Sequence, residues 1–171
     1  IRNAATVIVL RDRHETPHIL MGQRGAKAAF MPNKYVFPGG AVDPEDAQTQ
    51  VAGKKSEICQ NRLGPFGPAL LAAALRETWE ETGLMLGAET NSTRNLNNKS
   101  YDAFREAGLQ PDLSGIEVFG RAVTPPHRHK RFDAWFFVKD LGDRQPPKIS
   151  DSSELLNVGW FTFDEIKKLE T

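Results

Sequence analysis

Hydrophobic and polar positions change period several times along this chain of 171 residues. ATVIVL (Ala5 to Leu10) is short and β-branched, and a charged turn, RDRHETPH, separates it from HILMGQR (His18 to Arg24). Two such runs about a polar turn predict a β-hairpin. KYVFPGG predicts a third, short strand stopped by Pro38 and two glycines. From Pro44 to Pro68 no period is sustained, and the prolines, glycines and polar residues predict an excursion with room for one short helix near DAQTQVAGKK. PALLAAALRETWEETG reads as the clearest helix, with Pro68 near its start, strong helix formers inside and Gly83 as its stop. NSTRNLNNKS predicts a polar loop and YDAFREAGL a short amphipathic helix. IEVFGRAV and RFDAWFFVKD predict strands, the second aromatic-rich and so expected near the middle of the sheet. VGWFTF predicts the last strand, with Asp164 capping a final helix through DEIKKLE. The pattern as a whole predicts one mixed α/β domain, its helices packed on a mostly antiparallel or mixed sheet.

The charges balance at 22 basic and 22 acidic residues, so no long-range field marks nucleic acid or a membrane as partner. No apolar run approaches the length of a membrane span. The one cysteine, Cys59, allows no internal disulfide and fits a reducing compartment, so the cytoplasm is the expected location. The chain begins with Ile1 rather than Met, which leaves a targeting segment open. The oligomeric state is open too, a homodimer being one option.

Against this neutral background, RETWEETG (76–83) is unusual. On a helix Glu77, Glu80 and Glu81 share one face. Like charges so placed cost roughly 0.2–0.5 kcal/mol per pair, and the C-terminal end of a helix disfavours anions as well. Arg76 offsets part of this by reaching Glu80 at i+4, while Leu71, Ala74, Leu75, Thr78 and Leu84 form a largely apolar face suited to packing inside. A solvated face is the common outcome for a charged helix, but three acids at its unfavourable end make sense around a hard divalent cation such as Mg²⁺ or Mn²⁺. Upstream, FPGGAVDPED joins two glycines, which let backbone approach a ligand, to Asp43, Glu45 and Asp46.

Gly40, Arg76, Glu77, Glu80, Glu81 and Gly83 together resemble the Nudix hydrolase signature, in which a glycine, five residues and an acid precede R-E-x-x-E-E-x-G. The resemblance runs from about Ala5 to Ile166 through VFPGGAVDPED, ALRETWEETGLML, RAVTPPHRHKRFDAWFF and SSELLNVGWFTFDEI. It is similar to the branch that includes the peroxisomal coenzyme A diphosphatase relatives, and it implies a Nudix-type α/β/α sandwich with a mixed sheet and the Nudix loop-helix. Two departures stand out. The upstream acid falls on Asp46 counting from Gly40 and on Glu45 counting from Gly39. Asp46 and Arg76 are also 30 positions apart, about 22 more than the compact signature has. The excess is placed at 47–67, as a surface insertion expected to add little to the core.

The resemblance implies hydrolysis of a diphosphate joining a nucleoside to another moiety, with Mg²⁺ or Mn²⁺. It implies Glu77 and Glu81 as the first metal ligands, Glu80 as the third, the Gly40 carbonyl as a further one, and Arg76 as the residue that orients the glutamates. One of these glutamates, or Glu154 from a loop, is the candidate general base. Arg24 lies in HILMGQRGAKAAFMPNKYVFPGG, which partly resembles the segment before the box in members that cleave coenzyme A. Arg24 and Arg131 are the expected substrate contacts. His127 and His129 stand among Arg128, Lys130 and Arg131, a poor cation site but a suitable loop for a phosphate-rich ligand. Arg131 opens the aromatic strand, which is expected beside the metal helix; the plain alternative is that it pairs with Asp133. Trp79 and Trp135 are expected in the core, and Phe30 could stack on a base. The expected substrate is coenzyme A or an acyl-coenzyme A, with ADP-ribose or another dinucleotide as the alternative. A non-catalytic binding module is the third option, disfavoured by the presence of all three box glutamates.

Overall fold

In a computed structural model, which describes residues 1–28, 31–90, 99–143 and 147–169, the expected hairpin forms from β1 (Arg2–Arg11) and β2 (His18–Arg24). The two strands pair antiparallel only at its closed end, Leu10 with Ile19 and Arg11 with His18. Beyond that each arm takes new partners. β1 runs antiparallel to β4 (Gly39–Ala41) and parallel to β8 (Phe132–Asp140), which pairs with β7 (Ile116–Val123). β2 runs antiparallel to β3 (Tyr35–Val36) and β9 (Leu155–Thr162). The result is a mixed seven-stranded sheet with helices packed over it, an α/β/α sandwich. β8 lies between β1 and β7, which accounts for its nearly unbroken apolar run.

The long helix, α2 (Gly67–Thr82), packs chiefly on β1 and β4. Alternate residues of β1, Ala5, Val7 and Val9, are fully buried against Leu70, Leu71, Ala74 and Leu75 in one core. Thr78 and Leu84 are buried as well, so the apolar face anticipated for this helix is the one it buries. The helix ends on Gly83, whose left-handed backbone (φ 68°) brings its N–H to the Trp79 carbonyl at 2.8 Å. The outer side of α2 carries a satellite core. Here α3 (Asp102–Glu106) and the small sheet of β5 (Gly87–Glu89) and β6 (Leu109–Pro111) bring Tyr101 and Phe104 against Trp79, Met85 and Leu109. Trp135 packs on the main core.

Three expectations change. The α-helix inside the irregular stretch is α1 (Glu57–Leu63) rather than one over DAQTQVAGKK (46–55), where only the end of a 3-10 turn (Pro44–Gln48) falls; Ser56 caps α1 by accepting the Cys59 N–H, whereas Gly53 sits at φ 85°. This segment also reaches the core, since Cys59 and Leu63 are buried there and Val51 packs against it. The contribution of residues 47–67 is therefore larger than their polar composition suggests. At the C-terminal end, Thr162 rather than Asp164 caps α4 (Phe163–Ile166), in a reciprocal pair with Glu165. Phe30 and most of the NSTRNLNNKS loop lie outside the described residues. Among the described residues no helix is long and apolar enough to cross a membrane.

Candidate active site

Arg76 organises the site. It is 4% exposed, and each of its five N–H donors has an acceptor. Nε and Nη2 fork onto the Asp46 carboxylate at 2.9 Å each, and Nη2 also reaches the Ala41 carbonyl at 2.9 Å. Nη1 donates to Glu77 at 2.9 Å and Glu80 at 2.8 Å. Asp46 is fully buried and also accepts the Asp43 N–H at 2.8 Å, closing a capping box on the 3-10 turn Pro44–Gln48. Of the two upstream acids it is thus Asp46 that meets the arginine, while Glu45 is exposed. Burial alone would lower the pKa of Arg76, but the Asp46 hydrogen bond and the charges of Glu77, Asp46 and Glu80 raise it, so this guanidinium is a permanent cation.

The glycine pair receives the carboxylates. Gly39 donates its N–H to Glu81 Oε2 at 2.7 Å. Its φ of 156° is one that side-chain-bearing residues rarely adopt, and a Cβ there would run into the Ala5 carbonyl and Thr6. At Gly40 a Cβ would stand 2.5 Å from the Glu77 carboxylate. The solvated face common for a charged helix does not form: Glu81 is only 3% exposed and Glu77 largely buried, with Glu80 at the rim. Burial pushes the Glu77 carboxyl up to about 7, against the opposing charge of Arg76. Burial likewise pushes Glu81 up to about 8, against the Gly39 N–H and Arg24. The charge of Glu154 raises both, so this loop acid stands near them. Arg24 is near too, and its Nε is buried with no hydrogen-bond partner among the described residues.

Arg131 stands apart from this cluster. Its Nε donates to the Thr124 carbonyl at 3.2 Å. In the sheet Gly40 is level with Ala5 and Trp135, four residues or about 13 Å along the strand from Arg131. The strands beneath the acidic helix are chiefly β1 and β4, so β8 is one place further over than expected. Nor does Arg131 pair with Asp133, whose carboxylate is forked by Arg121 at 2.7 and 2.6 Å. His127, Arg128, His129 and Lys130 are exposed.

The NUDIX domain family matches residues 1–171. The chain belongs to the Nudix family. A Caenorhabditis elegans protein with nudix hydrolase 7 in its name is 28% identical over 169 residues, covering 93% of this chain and 50% of its own. The acyl-coenzyme A diphosphatase NUDT19 of Gallus gallus is 22% identical, covering 83% of this chain and 53% of its own. The chain thus spans about half the length of the curated relatives it matches. The crystal structure of a NUDIX hydrolase from Alicyclobacillus acidocaldarius superposes with TM-score 0.67 at 31% identity, over 94% of this chain and 78% of that one.

Nudix hydrolases generally use divalent metal ions, and the donors of this Nudix box suit one. Glu77 and Glu81 are largely buried carboxylates that each keep one oxygen free of hydrogen bonds among the described residues. Among the described residues no three acids, histidines or cysteines converge as a finished cage; one oxygen of each box glutamate is already tied to Arg76 or Gly39. Sequence reasoning left the Asp46 assignment open and missed the Gly39 amide altogether. Asp43-Pro-Glu-Asp46 has the spacing of a capping box, a signal that favours Asp46 over Glu45.

Proposed function

We propose that this Nudix chain hydrolyses the diphosphate of coenzyme A or an acyl-coenzyme A, with Mg²⁺ or Mn²⁺ held by Glu77, Glu81, Glu80 and the Gly40 carbonyl. The observation that carries the reading is the gathering of Glu77, Glu81, Glu154 and Arg24 about Gly39 and Gly40. A bound divalent cation supplies charge neutralisation at the diphosphate and lowers the pKa of a coordinated water. The chain's own residues prepare that chemistry. Arg76, itself anchored by Asp46, fixes the rotamers of Glu77 and Glu80, and the Gly39 N–H fixes Glu81. Glu154 is exposed, and its carboxylate is free to take a proton from an attacking water. Arg24 has a donor without a partner among the described residues, suited to a phosphate oxygen. The coenzyme A assignment draws on the likeness to the Gallus gallus acyl-coenzyme A diphosphatase and on the segment that ends the β2 strand at Arg24.

The test is a panel of diphosphates incubated with the protein and Mg²⁺ or Mn²⁺, the products being identified by mass. Release of 3′,5′-ADP and 4′-phosphopantetheine from coenzyme A supports the reading. Robust cleavage of ADP-ribose with no attack on coenzyme A or acyl-coenzyme A overturns it.

A further inference from the structure

A groove of about 340 Å³ lies at the other end of α2 from the acidic cluster. The insertion forms one wall with Asn61, Arg62 and Phe66, and the sheet forms the other with Asn3, Arg121 and Trp135. The groove is built rather than merely shallow. Leu63 and Leu70, both buried, lie at its base. Arg121 is forked by Asp133 and lies over the Trp135 ring at 5.1 Å, so its guanidinium plane is fixed and its charge already matched. Phe66 is 64% exposed and belongs to neither core, so one face of its ring is open in the groove. The Arg62 guanidinium and the Asn3 and Asn61 amides make no hydrogen bonds with the described residues.

A fixed cationic plane and an exposed ring suit a flat heteroaromatic ligand, because both stack on π-faces. Unpaired amides suit the donors and acceptors on the edge of such a ring. A free arginine suits a phosphate attached to it. Leu70 and Glu77 are seven residues apart on α2, an axial distance of about 10 Å, so one extended molecule can reach from the groove to the acidic cluster. Asp43, half exposed beside Arg76, has its charge matched by Arg2 at 3.8 Å and Arg76 at 3.7 Å. Asn3 joins the two regions directly, since it lines the groove while its carbonyl accepts the Val42 N–H just after the glycine strand β4.

We propose that this groove is the subsite for the phosphorylated nucleobase end of the substrate, with Phe66 stacking on the base and Arg62 taking its phosphate. The proposal rests on the diphosphatase reading, and it gives the insertion a function in specificity. Its test does not depend on turnover. Adenosine 3′,5′-bisphosphate carries a base and phosphates but no anhydride, so its affinity for the intact protein can be measured by calorimetry. Phe66→Ala and Arg62→Glu change exposed side chains, and melting curves check that both variants fold. Each is expected to weaken binding by about tenfold or more, and each is expected to raise KM for coenzyme A with kcat unchanged. Undetectable binding to the wild type, or equal binding by wild type and variants, overturns the subsite. Groove-dependent binding without coenzyme A cleavage upholds the groove and removes only the substrate reading. Cleavage of coenzyme A with KM indifferent to both substitutions removes the groove and leaves the substrate reading standing.

Discussion

Arg76 and Arg128 both sit in segments crowded with charge, RETWEETG and HRHKR, yet the fold treats them in opposite ways. Arg76 is almost sealed from water and spends all five donors on Asp46, Glu77, Glu80 and Ala41. Arg128 is exposed, and among the described residues only its backbone N–H is engaged, donating to the Pro125 carbonyl at 3.2 Å. The difference teaches that a run of charge is held only where the chain supplies counter-charges from a distance. Asp46 does this for the helix, and nothing comparable reaches the loop.

Removing the remote partner should therefore have the largest effect. Asp46→Ala leaves a buried guanidinium short of its main partner and is expected to cost about 3–5 kcal/mol, read by denaturant unfolding. Arg128→Ala should stay within about 0.5 kcal/mol of wild type. Equal costs for the two would break the comparison. Next come the acids themselves. Glu77→Gln and Glu81→Gln are each expected to lower metal-dependent kcat/KM by about 100-fold, roughly 2.7 kcal/mol, while circular dichroism shows an intact fold. Near-normal turnover in either variant would remove it from the ligand set.

A smaller effect should appear without metal. Glu77 and Glu81 hold their protons to about pH 7 and 8 when folded, whereas unfolded carboxylates release theirs near pH 4.5. The folded state binds more protons across that window, so its stability is complete below about pH 4.5 on this account and declines as pH rises toward 8. A loss of at least about 1 kcal/mol between pH 5 and 8 is expected in chelator-treated protein. The slope should flatten in Glu77→Gln and Glu81→Gln, and an equal slope in the variants would assign it to other groups. The smallest contrast is between the two arginines expected at the substrate. Arg24→Ala should lower kcat/KM for coenzyme A by about tenfold, and Arg131→Ala by clearly less, because only Arg24 stands beside the carboxylates. A larger effect at Arg131 would mean that the basic loop moves onto the substrate.

The helix, the glycine pair and the Arg76–Glu80 contact were legible in the sequence because each depends on near neighbours. Helical spacing places Arg76 four residues from Glu80, and glycine at 39 and 40 announces a close approach of some kind. What approaches them was not legible, since it depends on how β4 and α2 meet across the sheet. The same holds for Cys59 and Leu63: two apolar residues in a polar stretch form no pattern, and only the packing of α1 on β7 and α2 brings them inside. Asp133 was read with its neighbour Arg131, but strand pairing sets Arg121 within its reach.

The separation of Asp46 from Arg76 along the chain also bears on how the site comes into being. A compact box could assemble from local contacts in the first stages of folding. Here a loop of 30 residues must close first, at an added entropic cost of about 1 kcal/mol over an eight-residue loop. The reward for closing it is shared with the burial of Cys59 and Leu63, which belong to that same loop. Folding intermediates that contain α2 but have not docked the insertion would carry the glutamates without the buried fork that orients their arginine. The proposed metal site is therefore expected to be completed late in folding, and a single proteolytic nick between residues 47 and 56 would uncouple the helix from the acid that holds it.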